Sequence, residues 1–407
     1  MSIVVSALKE EQPHEKRVAI DPDVTKRLIK AGMKVLIEKG AGVASYYNDD
    51  SYQQAGAEVV DRKTALSQAN IVAVINLPSD ETLNALKPGQ VILGLLSSLI
   101  KPEKMQQLAD KKVTALSFEL LPRTISRAQT MDVLSSQSSV AGYKAALVAS
   151  DAYSKYFPMM ITAAGTVKPA KVLVLGTGVA GLQAIGTAKR LGAIISGYDV
   201  RPASKGEVES LGANFLTSSV SNGAGSGGYA RALTPEETAA QQKELAGFIA
   251  DNDVIITTAQ VPGHKPPLMV TQESVDNAKP GTVFVDLAAS DLGGNIAGSK
   301  PDETVTTPNQ ATIIGGNNFA SELSNSASQL FAKNVQSVIN AMVDKDGNLA
   351  IDPKDDVFSG LTATTNGEII NARLRDALKL DPLPKDEPAK DESDEKADQS
   401  AKSKGAE

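Results

Sequence analysis

Three glycines, Gly176, Gly178 and Gly181, stand at the spacing G-x-G-x-x-G inside the stretch KVLVLGTGVAGLQAIGTAKRLGAIISGYDVRP (171–202). In that pattern Gly176 permits a tight turn, Gly178 lets a pyrophosphate approach the backbone, and Gly181 lets a helix pack close on a strand. Val179 opens the helix, whose free N–H groups and positive dipole end face an anion. Asp199 closes the second apolar run, where a carboxylate accepts both ribose hydroxyls of NAD and repels a 2′-phosphate. The cofactor expected from these residues is NAD(H). Arg201 lies at the edge of the same site and is the group that would hold a 2′-phosphate; it is read as a solvated loop arginine, so NAD is favoured over NADP. A glycine-rich turn in some other α/β fold is the plainer alternative. The strand, turn, helix, strand and acid in sequence argue against it.

A second polar group lies in PRTISRAQTMDVLSSQSSVAGY (122–143), which carries Arg123, Arg127, Gln129, Asp132, Ser135 and Tyr143. Between two α/β domains such a group would line a cleft that receives the reactive ring of a cofactor. A solvated connector with a helix N-cap explains the same residues equally well. Nicotinamide enzymes acting on hydroxy or amino acids need a cation for the substrate carboxylate and an acid–base for the accompanying proton. This stretch has arginines, a glutamine and an acid but no His or Lys. Hydride transfer between two nicotinamide rings moves no such proton; it needs positioning, dry surroundings and hydrogen bonds to carboxamides. Lys9, His14 and Arg17 lie elsewhere. His14, in KEEQPHEKRVAI, and His264, in QVPGHKPP, read as solvated loop residues rather than catalytic ones.

Elements that would position these residues follow a βαβ grammar, which predicts parallel sheets. Strands are expected at Ile3–Ala7, Lys34–Glu38, Ile71–Ile75, Val91–Leu95 and Val113–Ser117, with helices from Pro22 to Ala31, Ser79 to Leu86 and Pro102 to Lys111. Pro22 suits a first helical turn, where its missing N–H costs nothing. A long helix from Leu134 to Tyr156 joins the halves. Beyond it come the fingerprint and strands at Val254–Thr257, Thr282–Leu287 and Thr312–Ile314. Between them SSVSNGAGSGGYARAL (218–233) is either a surface loop or a mobile lid with Tyr229 at its tip. The helix Ser324–Val343 has Leu330, Phe331, Val335, Val338, Ile339 and Met342 at helical spacing and should cross back to the first domain. Short strand-like pieces follow at Leu349–Ile351, Asp356–Ser359 and Gly367–Ala372. The fold expected is α/β: two Rossmann-like, doubly wound parallel-sheet domains with an interdomain cleft. The first comprises 1–133 plus 317–382, the NAD-binding domain 134–316. Residues 383–407 are expected to be a disordered acidic tail, because 385–407 hold no large apolar residue with which to offset ordering entropy.

Length and composition bound the remaining possibilities. A chain of 407 residues exceeds one ordinary core. No run of about 20 apolar residues is present to span a bilayer, and the N-terminus lacks a signal-peptide pattern. With no cysteine, disulfides, thiol nucleophiles and thiolate metal sites are excluded, and two histidines make no histidine-rich metal site. A net charge of −7 argues against a nucleic-acid partner.

The segments KEEQPHEKRVAIDPDVTKRLIKAGMKVLIEKGAG, SRAQTMDVLSSQSSVAGYKA, GTGVAGLQAIGTAKRLGA with GYDVRP, GSGGYA, ITTAQVPG, VFVDLAASDLGGN and SASQLFAKN resemble the alpha subunit, or NAD(H)-binding domain I, of proton-translocating NAD(P) transhydrogenases, relatives of alanine dehydrogenase. The likeness spans about residues 3–380. It implies hydride transfer from NADH to NADP⁺, the NADP(H) being held on a partner domain, coupled to proton movement by separate membrane subunits. It further implies a homodimer, located in the cytoplasm and peripheral to the inner membrane through those subunits, without inserting into it. The family's signature Arg, Gln and Asp surround the dihydronicotinamide. Gln129 and Asp132 match two of them. The arginine is either Arg123 or Arg127, because PRTISRAQ is one residue longer than the family's usual spacing; Arg127 is taken with Gln129 and Asp132 as the positioning set. Ser135 and Tyr143 match nucleotide-contacting positions, Tyr229 the tip of a mobile loop, and Gln260, Val261 and Pro262 a loop bordering the adenosine and ribose. Alanine dehydrogenases also need a lysine after the fourth strand and a histidine after the fifth; VAVINLPSDE and VILGLLSSL hold neither. Arg17, which resembles their carboxylate-binding arginine, is therefore expected to be structural and ion-paired. The alternatives are a soluble amino-acid or keto-acid dehydrogenase and a non-catalytic NAD-sensing module.

Overall fold

Strands covered on both faces have no polar side to show water, so they read as short, almost wholly apolar runs. The computed structural model, which describes residues 2–218, 220, 233–260, 263–316 and 318–383, is built on such runs. Its first strands are β1 Val4–Ala7, β2 Lys34–Glu38, β3 Glu58–Val60, β4 Ile71–Asn76, β5 Val91–Leu95 and β6 Thr114–Ser117. An exposed antiparallel pair follows, β7 Met160–Thr162 and β8 Gly165–Val167. Next come β9 Lys171–Leu175, β10 Ile194–Asp199, β11 Asn214–Thr217, β12 Val254–Thr257, β13 Val283–Asp286, β14 Thr304–Thr306 and β15 Thr312–Gly315, and finally β16 Thr362–Thr365 and β17 Glu368–Ile369. Every residue of β12 and β13 is buried.

Two Rossmann-like sheets result. The first runs β17-β16-β6-β5-β4-β1-β2-β3 and the second β11-β10-β9-β12-β13-β15-β14. Each starts in its middle: β1 pairs in parallel with β2 and β4, and β9 with β10 and β12. Where the strand order reverses, helices leave the sheet on opposite faces and a crevice opens at the carboxyl ends of the strands. Apolar clusters cover both faces of each sheet. No helix among the described residues is long and apolar enough to cross a membrane.

Local signals set most helix ends. Asp21 caps the helix Pro22–Lys30 by accepting from the Val24 N–H, with proline in the first turn. Asp132 caps the interdomain helix Val133–Ala152, which ends short of the expected Tyr156. Tyr153 leaves it in extended backbone, and its ring packs edge-on against Phe157. The return helix Ser324–Met342 buries Phe331, Val335, Val338, Ile339 and Met342 in the first sheet's core. Leu330 sits apart, against a small cluster around Val140 and Ala327.

The stretch after this helix differs from expectation. Leu349 forms only an isolated bridge with Val343, and Phe358–Leu361 is a short helix. The strand lies at Thr362–Thr365, antiparallel to β6. Its threonines read as polar in sequence, yet Thr362 and Thr364 are fully buried. The Thr364 hydroxyl donates to the Val113 carbonyl at 2.9 Å and accepts from the Ala115 N–H at 3.2 Å, completing the ladder at a register shift. The tail residues 384–407 lie outside the described residues.

Candidate functional site

The glycine turn after β9 has the geometry its spacing predicts. Gly176 has φ +91°, which L side chains rarely adopt, and its carbonyl accepts from the Thr258 hydroxyl at 2.9 Å. A Cβ on Gly181 would lie 1.9 Å from the Gly176 carbonyl oxygen, so helix and strand backbones touch. A Cβ on Gly178 would meet nothing within 4 Å. Gly178 is also the N-cap of the helix Val179–Arg190 and supplies no capping side chain. The first-turn N–H groups therefore face open space, and Val179 beside them is exposed. That cradle fits a pyrophosphate.

Asp199, at the end of β10, is buried and crowded with donors. Its Oδ2 accepts from the Thr177 N–H and hydroxyl at 2.9 and 3.1 Å and from Arg201 Nη2 at 2.8 Å; its Oδ1 accepts from the Arg201 N–H and Nε, each at 2.9 Å. Burial alone would raise its pKa, but the hydrogen bonds from Arg201 and Thr177 outweigh it and hold the carboxyl below its ordinary value. Arg201 is thus not the solvated loop arginine expected. It is drawn onto the neighbouring carboxylate because that charge is desolvated. With about four lone-pair sites on a carboxylate, ribose hydroxyls reach Asp199 only as Arg201 gives way.

The polar stretch 122–143 divides. A 3₁₀ turn over Ser126–Met131 leads into Asp132, whose carboxylate caps the interdomain helix through the Ser135 N–H at 2.9 Å. Arg123 completes the group, with Nε donating to Asp132 Oδ2 at 2.8 Å and Nη2 to the Ser135 hydroxyl at 2.7 Å. Arg127 points elsewhere, paired with Asp355 at 2.7 Å and with Asp356. Of the two arginines, the structure brings Arg123 and not Arg127 to Asp132. The 3₁₀ turn rotates Arg127 outward to two carboxylates far along the chain. Gln129 is exposed, and its side-chain amide has no hydrogen-bond partner among the described residues. Further along the helix, Gly142 meets the fingerprint helix, and a Cβ there would lie 2.1 Å from the Ala180 carbonyl oxygen. The adjacent Tyr143 is exposed near this crossing.

The loop after β12 carries Gln260, which is exposed. Val261, Pro262 and Tyr229 lie outside the described residues. Sequence reasoning missed what holds this loop. Asn295, fully buried, donates to the carbonyls of Ala259 and Pro267 at 2.9 and 2.7 Å and accepts from the Ala259 N–H at 3.0 Å. Asp286 anchors the chain behind it, accepting from the Ala288 and Ile296 N–H groups and the Thr257 hydroxyl. An asparagine after two glycines and an acid ending a buried strand were the available signals. From the same loop Gly263 reaches the first unit: a Cβ there would lie 2.8 Å from Leu99 Cβ. Gly142 was likewise missed; within SVAGY it carries no chemical signal.

The crevice of the first sheet is differently furnished. Arg17 is buried and forked by Glu15, with Nε to Oε1 at 2.8 Å and Nη2 to Oε2 at 2.7 Å, while Nη1 donates to Gln137 Oε1 at 2.8 Å. Burial works to raise the Glu15 pKa, but Arg17 overrides it and holds the carboxyl near about 2. Asn76, ending β4, donates to both Glu15 and Glu10. Burial and the Glu15 charge push Glu10 up to about 7, against N–H donors from Ile75 and Asn76. Arg17 is ion-paired as expected. With its guanidinium taken up by Glu15 and Gln137, Arg17 leaves a poor seat for a substrate carboxylate.

Two nucleotide-fold sheets, a glycine cradle and a polar cluster on the helix joining them define a class: the pyridine-nucleotide dehydrogenases built from two Rossmann-like units. Residues 6–141 match the family described as "Alanine dehydrogenase/PNT, N-terminal domain" and residues 145–372 its "C-terminal domain". The chain is 42% identical over 376 residues to the first part of the "NAD(P) transhydrogenase subunit alpha" of Rhodospirillum rubrum, covering 90% of this chain and 97% of that one. It is 39% identical to "NAD(P) transhydrogenase subunit alpha" of Haemophilus influenzae, covering 72% of that protein. The solved structure of a transhydrogenase from Sinorhizobium meliloti superposes with a TM-score of 0.81 at 38% identity, covering 90% of this chain and all of that one. An L-alanine dehydrogenase shares the fold, with a TM-score of 0.78 at 22% identity. The chain belongs to the alanine dehydrogenase/PNT family of oxidoreductases, among its transhydrogenase alpha subunits.

Proposed function

We propose that this chain is the NAD(H)-binding subunit of a proton-translocating transhydrogenase. When bound, NADH supplies the hydride, which passes directly to NADP⁺ held on a separate partner domain. The observation that carries the reading is the Arg123–Asp132–Ser135 cluster, seated on a helix whose Gly142 touches the first turn of the fingerprint helix. The cluster binds and orients; neither His nor Lys is part of it, and Asp132 is engaged by Arg123 and by the helix end that it caps. Gln129 has an amide free to meet a carboxamide, and Arg123 takes the arginine role that the sequence left open between two positions. Ser135 and Tyr143 flank the ring side, the 176–181 turn holds the pyrophosphate, and Asp199 takes the ribose with Arg201 displaced. Gln260 and Tyr229 border the nucleotide from their loops.

On this reading residues 1–133 plus 317–382 form one domain and 134–316 the NAD-binding domain. The partners are a second copy of the chain, an NADP-binding subunit and membrane-embedded subunits that couple the step to proton movement. The protein works in the cytoplasm, peripheral to the inner membrane. The β7–β8 pair supports the homodimer, because it projects Met159, Ile161 and Val167 into solvent with little to cover them. A soluble amino-acid dehydrogenase is disfavoured by the neutralised Arg17 and by Asn76 and Leu77 at the end of β4.

The test is NADH binding to the purified chain, then transfer to NADP⁺ with and without an NADP(H)-loaded partner domain. Binding alone with no turnover, and fast transfer on adding the partner, are expected. Partner-independent turnover of a keto acid with ammonia would overturn the reading.

A further inference from the structure

A buried asparagine in the return helix straddles the nicotinamide segment. Asn334 sits among Phe331, Ala332, Val335 and Val338, all fully buried. An amide on such a face must find partners or lose much of its hydration energy. Its Nδ2 donates to the Thr130 carbonyl at 2.8 Å, and its Oδ1 accepts from the Ser136 hydroxyl at 2.7 Å. A carbonyl only accepts, so the amide has one satisfying orientation.

These two partners bracket the proposed chemistry. Thr130 follows Gln129 and precedes Asp132; Ser136 follows Ser135. The 3₁₀ turn that carries Gln129 is seated by Ala128 and Met131 in the first core and by the Arg127 ion pairs, but its residues 126, 127, 129 and 130 are exposed, and the bond from Asn334 is what holds the backbone directly after Gln129. The same helix reaches the next residue through the Ala327 carbonyl, which accepts from Gln137 Nε2 at 3.1 Å. The segment is therefore held from behind at Thr130 and at Ser136–Gln137, with Asp132 and Ser135 between these points, Gln129 next to the first, and Arg123 joined to Asp132 and Ser135 by its side chain.

We propose that Asn334 is a positioning residue for hydride transfer: it sets the separation of Gln129 from the Asp132–Ser135 helix end through one amide. This rests on the functional reading above. Asn334→Asp keeps the acceptor for Ser136 and sets an oxygen against the Thr130 carbonyl. Asn334→Ala removes both bonds, and Ser136→Ala removes one.

The experiment measures three quantities on the full chain with an NADP(H)-loaded partner domain: NADH Kd by fluorescence, the transfer rate, and the isotope effect with NADH deuterated at the transferred position. For Asn334→Asp and Asn334→Ala the expected result is a loss of about tenfold or more in transfer rate, since small misplacements of reacting groups cost that much. NADH Kd should change by less than about twofold, and the isotope effect should rise as transfer becomes rate-limiting. Ser136→Ala should lose less, and the double variant should fall short of additivity. Wild-type transfer in both Asn334 variants would overturn the proposal. So would a parallel loss of Kd, rate and Tm, which would make Asn334 a fold residue alone. Absence of partner-dependent transfer in the wild-type control would instead overturn the functional reading.

Discussion

Replacing Gly178 by alanine separates binding from stability. Gly178 has φ −76°, ordinary for any residue, and an added methyl meets nothing within 4 Å. Two backbone effects then oppose each other. Restricting the unfolded chain stabilises by about 0.4–1 kcal/mol, whereas alanine is a poorer N-cap than glycine by roughly 0.5 kcal/mol. The net is within about 0.5 kcal/mol, a Tm shift of about 1–2 °C for domains of this size. The space the methyl enters is that assigned to the pyrophosphate, so NADH should bind about tenfold or more weakly, a loss of about 1.4 kcal/mol. Gly181→Ala is the contrast: its Cβ would lie 1.9 Å from the Gly176 carbonyl, an overpacking of backbone that costs about 1–3 kcal/mol and should lower Tm by several degrees. Calorimetry for Tm and fluorescence titration for Kd read both variants. Unchanged NADH affinity in Gly178→Ala would refute the assignment, and a Tm loss like that of Gly181→Ala would make Gly178 merely structural.

Arg123→Ala should slow hydride transfer about tenfold or more, because positioned reacting groups depend on it, while Arg127→Ala should stay within about twofold, having lost an exposed ion pair; equal losses would return the role to Arg127. Asp199→Ala should weaken NADH binding, and equilibrium dialysis showing wild-type affinity would end its ribose role. Glu10 has a folded-state pKa raised from 4.5 to about 7. Between those values the folded protein holds a proton that the unfolded chain has released, so stability falls as pH rises through this window. Glu10→Gln should flatten Tm between about pH 5 and 8, and an unchanged slope would show that another group titrates there. Glu15, held near about 2, gives stability present above its unfolded pKa and lost on acidification through about 4.5 to 2.

What was legible in sequence was local. Gly176, Gly178 and Gly181 act through their own backbone, and Asp132 caps the helix that begins one residue later. β4, β9 and β13 are apolar because they are covered on both faces. The spacing of Phe331, Val335, Val338 and Met342 sent the return helix to the first core. For each, the physics lies within a few residues, so the letters suffice.

What tertiary structure decided was pairing across distance. Arg123 and Arg127 are the same side chain four positions apart, and only Asp355 and Asp356, brought in by the return segment, take Arg127 away. Arg201 looked solvated because nothing in the letters reports that Asp199 is buried. β16 was missed because threonine is polar until its hydroxyl pairs with Val113 and Ala115. Gly142, Asn295 and Asn334 fall within segments that resemble the family, but the contact through which each matters, with a distant element, is set by the fold. Sequence alone determined the fold class, the glycine cradle and the family. Tertiary structure selected the arginine that reaches Asp132, because a side chain's charge partner depends on where the fold delivers the opposite charge.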